Sequence, residues 1–155
     1  MDDSKNSSAF LSLVRDIVNE KIPFNKLLGM RAISIEDDIV KIKIDMKDEF
    51  IGNYIKKTLH GGVISSIIDV TGGMAAFISF YQKNMSLSLE AQKEKFSKLG
   101  TVDLRVDYLR PGYGDSFIAS GYALRAGTRV AVTRIELHND AEKLIAAGTG
   151  TYILS

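Results

Sequence analysis

GGVISSIIDVTGGMAAFISFY, residues 61–81, is long enough to cross a bilayer as a helix. Asp69 stands in its middle, at a cost of roughly 2.5–3.5 kcal/mol for a charge at that depth. Ser65, Ser66 and four glycines weaken the apolar run further. The stretch therefore reads as the buried helix of a soluble protein. Val63, Ile67, Val70, Met74 and Phe77 recur at spacings of three and four and make one bulky face, which predicts a core stripe. Gly62, Ser65, Ser66, Asp69, Gly72, Gly73 and Ala76 make a second stripe of small residues around one carboxylate. Small side chains let another backbone or a ligand approach closely. An unpaired charge among them is costly to bury, so Asp69 is expected to hold a partner or to favour its neutral form. Two readings stay open: a working carboxylate, or an ion pair with one of the arginines.

The start of that helix carries a second feature. His60-Gly61-Gly62 opens it, and the first amides of a helix have no intrahelical acceptor. The dipole there favours negative charge, so such an end can hold an oxyanion or a polarised carbonyl. The triplet alone equally describes an ordinary helix start. Gly61 and Asp69 lie eight residues apart, about 12 Å of helix rise. One carbonyl cannot reach both within hydrogen-bond distance in one chain. If both act on one substrate they come from different subunits, which predicts two symmetric sites per dimer and a subunit interface along the small-residue stripe.

Working outward, Ser7–Glu20 place Phe10, Leu13, Val14, Ile17 and Val18 at helical spacing, with Ser7 or Ser8 as the expected cap and Pro23 beyond its end. Met30–Ile35 and Ile39–Asp45 read as strands around an Asp37-Asp38 turn, and Met46–Leu59 as a loop. After the long helix, residues 82–100 form a polar segment holding a short exposed helix that ends at Gly100. Four strands follow: Thr101–Leu109, Phe117–Arg125, Arg129–His138 and Lys143–Leu154, with Pro111-Gly112, Ala126-Gly127 and Asn139-Asp140 at the turns. Short links predict antiparallel pairing, hence an α+β fold with one sheet around one main helix. No repeat or linker divides residues 1–155, so one domain is expected, with residues 1–22 as an added N-terminal helix.

Composition narrows the function. There is no cysteine, which excludes a disulfide, a thiol nucleophile and a cysteine zinc site. Two histidines, His60 and His138, argue against a metal centre, and His138 is expected to be exposed. A net charge of +1 gives no support for bulk nucleic-acid or membrane-surface binding. The first ten residues, MDDSKNSSAF, lack the basic and apolar regions of a signal peptide, so a cytoplasmic location is expected.

Asn53, LHGGVISSIIDVTGG, TVDLRVDYLRPG, RAGTRVAVTRIEL and the final AAGTGTY together resemble the PaaI-like group of hotdog-fold thioesterases, and in particular its YigI-like bacterial branch. The resemblance runs from about Pro23 to the end, and in that branch includes the N-terminal helix. It implies a long central helix wrapped by a curved antiparallel sheet, a homodimer or dimer of dimers with shared active sites, and hydrolysis of acyl-CoA without a cofactor. By the same resemblance the catalytic acid falls on Asp69, the amide that polarises the thioester carbonyl on Gly61, a site asparagine on Asn53 and a hydroxyl residue on Thr101. Asn53 lies one residue further from HGG than in some relatives, and the Thr101 alignment depends on the insertion before it. His60 and Gly62 are candidate substrate contacts, His60 chiefly as a shaper of the turn. The phosphates of CoA call for basic residues, and Arg110, Arg125 and Arg129 stand at strand ends, with Gly127 allowing close approach. Each of these alone is equally well a solvated strand-edge charge. An apolar slot for the acyl group, covered by the N-terminal helix and the insertion, would favour medium or long chains. The alternatives are a hotdog dehydratase, which would need a working histidine, and a non-catalytic acyl-CoA sensor, which would have no use for Asp69.

Overall fold

The computed structural model describes residues 3–155, with side chains from residue 8 onward. Its centre is α3 (Gly61–Lys83), held against a six-stranded antiparallel sheet. The strands are β1 (Arg31–Glu36), β2 (Ile39–Asp45), β5 (Gly100–Tyr108), β6 (Ser116–Ala126), β7 (Val130–Asn139) and β8 (Leu144–Ile153), with β3 and β4 apart from them. Their order across the sheet is β1-β2-β6-β7-β8-β5. The helix touches β2, β6, β7, β8 and β5, so the sheet curls around it. Period-two alternation drives this: Ile42 and Ile44 are fully buried beneath α3, while Lys41 and Lys43 face outward. Phe117, Ala119, Ile135 and Leu137 repeat the pattern on β6 and β7. The Asp37-Asp38 turn joins β1 to β2 with both residues at positive φ, 48° and 65°, as a two-residue hairpin turn requires.

Several boundaries differ from the sequence expectation. α1 runs Asp3–Arg15, so Ser7 and Ser8 lie inside the helix rather than at its cap. It continues as a π-helical segment, Asp16–Lys21, whose wider turn buries Ile17 and Val18. Pro23 opens a further short helix, α2 (Pro23–Leu28), because a first helical position needs no N–H. The 46–59 loop contains a short 3-10 turn, Asp48–Phe50, and a small hairpin of β3 (Ile51–Asn53) and β4 (Thr58–Leu59). Helix α4 (Leu89–Ser97) is capped by Ser88 and ends at Lys98, leaving Gly100 as the first residue of β5. It is only partly exposed: Gln92 is buried and Phe96 meets Phe77 edge-on at 5.1 Å. His138 is half-buried beside Glu136 on β7.

The core stripe of α3 is broader than its sequence spacing indicates. Val63 and Val70 are half-buried, whereas Ile64, Ile68, Ala75 and Ile78 join Ile67, Met74 and Phe77 in the core. The reason is that α3 is covered on two sides. The sheet lies on one, and α1 packs on another through Phe10, which stacks on Tyr81 at 3.7 Å. The added N-terminal segment also closes the β1 edge. Arg15 donates to the Ala32 and Ile33 carbonyls, and Asn19 Oδ1 accepts from the Ala32 N–H at 2.9 Å.

Candidate active site

Asp69 lies half-buried on α3 and is held by two hydroxyls. Thr101 donates to its Oδ1 at 2.8 Å. Tyr152 donates to the Asp69 backbone carbonyl at 2.9 Å and leans to Oδ1 at 3.3 Å. Strand register explains the convergence: Thr101 on β5 and Tyr152 on β8 are directly paired, so their side chains leave the sheet on the same face, toward α3. A bulge follows at once, between Thr101 and Asp103, and detaches the end of β5 from regular pairing. Among the described residues no lysine or arginine forms a salt bridge with Asp69. The ion-pair reading therefore gives way to a carboxylate anchored by neutral donors, with Oδ2 free of any described partner.

Tyr152 was not singled out from sequence, although it closes the AAGTGTY run. It is 1% exposed. Burial, then the Asp69 charge and hydrogen bond, hold its phenol well above the usual tyrosine range, with Thr133 acting the other way. It therefore stays protonated and donates. The small-residue stripe makes room for it. A Cβ on Gly72 would collide with the Tyr152 hydroxyl and would lie 2.9 Å from both Thr133 Oγ1 and Ile135 Cδ1. Gly72, Gly73 and Ala76 are thus buried within their own protomer, under β7 and β8, rather than at a subunit interface. Gly72→Ala is expected to destabilise the protein by about 1–3 kcal/mol through overpacking. A denaturant midpoint equal to that of wild type would contradict this packing.

The tip of α3 forms a second cluster. His60 caps the helix: its Nδ1 accepts from the Gly62 N–H at 2.7 Å, and its carbonyl accepts from Val63 and Ile64. A neutral His60 so engaged carries its proton on Nε2. The Gly62 amide is taken by this cap and is not open to a substrate. The Gly61 N–H, in contrast, has no acceptor among the described residues. Tyr108 of β5 donates to the Gly61 carbonyl at 3.1 Å. Asn53 lies on β3, exposed, with Oδ1 accepting from the Ile55 and Lys56 amides of its own turn. Only its amide nitrogen remains to be offered outward. Asp69, Thr101 and Tyr152 share one cavity that Gly61, His60 and Asn53 do not line, so the two clusters are separate within the chain.

A model of the thioesterase superfamily matches residues 56–146, more than half of the chain, a span that includes His60, Gly61, Asp69 and Thr101 but neither Asn53 nor Tyr152. The chain belongs to the thioesterase superfamily. Its hotdog fold follows from the same match and from α3 within the six-stranded sheet. The medium/long-chain acyl-CoA thioesterase YigI of Escherichia coli K12 is 40% identical over 144 residues, covering 93% of each chain. A solved Shewanella oneidensis protein related to the thioesterase superfamily superposes with a TM-score of 0.91 at 41% identity, over 97% of this chain and 98% of that one. The Escherichia coli PaaI protein shares the fold, with a TM-score of 0.71 at 19% identity, over 96% of each chain.

This thioesterase does not gather its arginines around one point. Arg125 and Arg129 flank the β6–β7 turn, where Gly127 donates to the Val130 carbonyl at 2.8 Å. Arg110 donates to the Leu144 carbonyl, beside the far end of β7, where His138 pairs with Leu144. The length of β7 separates them, roughly 30 Å at a strand's rise. Within one protomer of the thioesterase they cannot clamp the same phosphate. All three are exposed.

Proposed function

We propose that this thioester hydrolase cleaves acyl-CoA, with a medium- to long-chain or aryl acyl group, to the free acid and CoA. The observation that carries the reading is the anchored Asp69 carboxylate: two hydroxyls fix Oδ1 and leave Oδ2 for chemistry beside a cavity. As a general base, Oδ2 takes a proton from water, whose oxygen attacks the thioester carbonyl. The carbon–sulfur bond breaks, and the thiolate leaves and is protonated to CoA thiol. As a nucleophile, Oδ2 attacks the carbonyl itself and expels the CoA thiolate, which is protonated to the thiol, giving an acyl–aspartyl anhydride that water then opens to the free acid and the Asp69 carboxylate. Heavy oxygen carried from labelled water into the Asp69 carboxylate would mark the second route.

The oxyanion that develops in either route is assigned to the Gly61 N–H. Since eight residues of helix separate Gly61 from Asp69, about 12 Å, the two come from different protomers of a homodimer, or of a dimer of dimers. The open β5 edge supports this, because it carries Thr101 at one end and Tyr108, beside Gly61, at the other. In this reading Asn53, through its amide nitrogen, orients water or substrate, Thr101 and Tyr152 position Asp69, and Arg110 of one protomer or Arg125 and Arg129 of another meet CoA phosphates. A cytoplasmic setting belongs to the same proposal.

Thiol release measured across straight-chain and aryl acyl-CoAs tests it. Turnover of these substrates is expected; tight binding without release of CoA would turn the reading to a sensor. A dehydratase is disfavoured because His60, the sole histidine of the helix start, is engaged as its cap.

A further inference from the structure

Hydrolysis at Asp69 leaves open where the acyl tail lies, and the following rests on that proposed activity. The cavity beside Asp69 measures about 280 Å³, and beyond Thr101 and Tyr152 its wall is apolar, with Ile22, Met74, Leu99 and Phe96. A second cavity of about 220 Å³ lies between Leu13 and Ile17 of the N-terminal helical segment, Phe77 of α3 and Phe96 of α4. Its charged residues are Asp16, Lys21 and Lys93, of which all three are exposed and stand at a rim. Phe96 lines both cavities. Its ring is braced edge-on by Phe77 at 5.1 Å, with the two planes at 77°.

We infer that Phe96 is the partition that sets how long an acyl tail this enzyme accepts. The thioester end sits at Asp69, and the first part of a linear aliphatic tail fills the nearer cavity up to the Phe96 ring. The farther cavity is the continuation of the same apolar path, closed by that ring. An aliphatic chain is the occupant because the path starts at the reacting carboxylate, is walled by Ile22, Met74, Phe77 and Phe96, and meets charge only at its distant rim. Two features outside the helix-and-sheet frame build it. The π-helical turn follows Leu13 and carries Ile17, and α4 supplies Phe96. π-helical turns inside helices often accompany functional sites. Chain-length selectivity is thereby lodged in α1, the π segment and α4, apart from Asp69.

The test uses the full chain and kcat/KM for straight-chain acyl-CoAs from octanoyl to stearoyl. Phe96→Ala joins the cavities and is expected to raise the stearoyl-to-octanoyl ratio of kcat/KM by about tenfold or more, the scale on which apolar pockets discriminate chain carbons. Leu13→Trp fills the farther cavity from the opposite wall. In a Phe96→Ala background it is expected to return the ratio toward the wild-type value. Should Phe96→Ala not fold, Phe96→Leu opens the same passage with a smaller loss of packing and should move the ratio in the same direction. Wild-type protein that turns over no acyl-CoA would refute the thioesterase reading itself. Wild-type turnover with the ratio unmoved in the folded Phe96 variant would leave that reading standing and overturn the partition.

Discussion

Asp69→Asn is expected to lower kcat for acyl-CoA hydrolysis by at least about a hundredfold, the range for losing a main acid–base group. Asparagine keeps the shape and an acceptor oxygen, so the Thr101 and Tyr152 hydroxyls retain a partner and the fold should survive. What it lacks is a second oxygen able to take a proton or attack a carbonyl. Thiol release gives the rate, and thermal unfolding reports whether the architecture persists. Full activity in a folded Asp69→Asn protein would remove the carboxylate from the chemistry. Loss of activity together with loss of folding would point to a packing role, because the aspartate ties α3 to β5 and β8.

Gly61→Pro addresses the second cluster, at the start of α3. Proline is suited to a first helical position, where its missing N–H breaks no helical bond. The residue before it must be extended, and His60 already is, at φ −63° and ψ 135°. A Cβ at Gly61 would lie 3.3 Å from the Tyr108 ring, so the ring must give by a few tenths of an ångström. The helix therefore keeps its start and loses its unpaired donor. A fall in kcat of about a hundred- to a thousandfold is expected, the scale for one oxyanion donor.

The two variants together test whether the Asp69 and Gly61 clusters meet across protomers. In a mixed dimer of Asp69→Asn with Gly61→Pro, one site holds both lesions and the other holds none. Co-refolding equal amounts should restore roughly a quarter of wild-type activity, since about half the dimers are mixed and each has one working site. If both groups acted within a single protomer, no mixture would recover activity.

Much of the frame can be read without coordinates. Alternation of Ile42 and Ile44 with Lys41 and Lys43 marks a half-buried strand, because successive side chains on a strand face opposite ways. The helical spacing of residues 61–81 and the lone Asp69 among small residues are equally local signals. The β3–β4 hairpin escaped, because its strands are three and two residues long and carry too few side chains to show a period. The breadth of the α3 core was underestimated because burial of Ile64, Ile68 and Ile78 comes from two flanking layers rather than from one face.

The candidate site divides in the same way. Asp69 is visible in sequence because a charge in an apolar helix is anomalous where it stands; Gly61 is not, since its triplet alone equally describes an ordinary helix start, and its role comes from the family resemblance. Tyr152 is equally hidden, since a tyrosine late in a strand resembles any other core aromatic until its hydroxyl's partner, 83 positions away, is brought beneath it. The glycine pair in α3 has the same history; only the packed sheet reveals that Gly72 yields its space to Tyr152. Arg110 is parted from Arg125 and Arg129 by the length of β7. Periodicity and isolated oddities are properties of neighbouring residues, so the chain determines its helix, its strands and its lone carboxylate by itself. Which hydroxyl reaches that carboxylate, and which ring walls the cavity beside it, depends on strand register and on layers that meet only when the chain is folded.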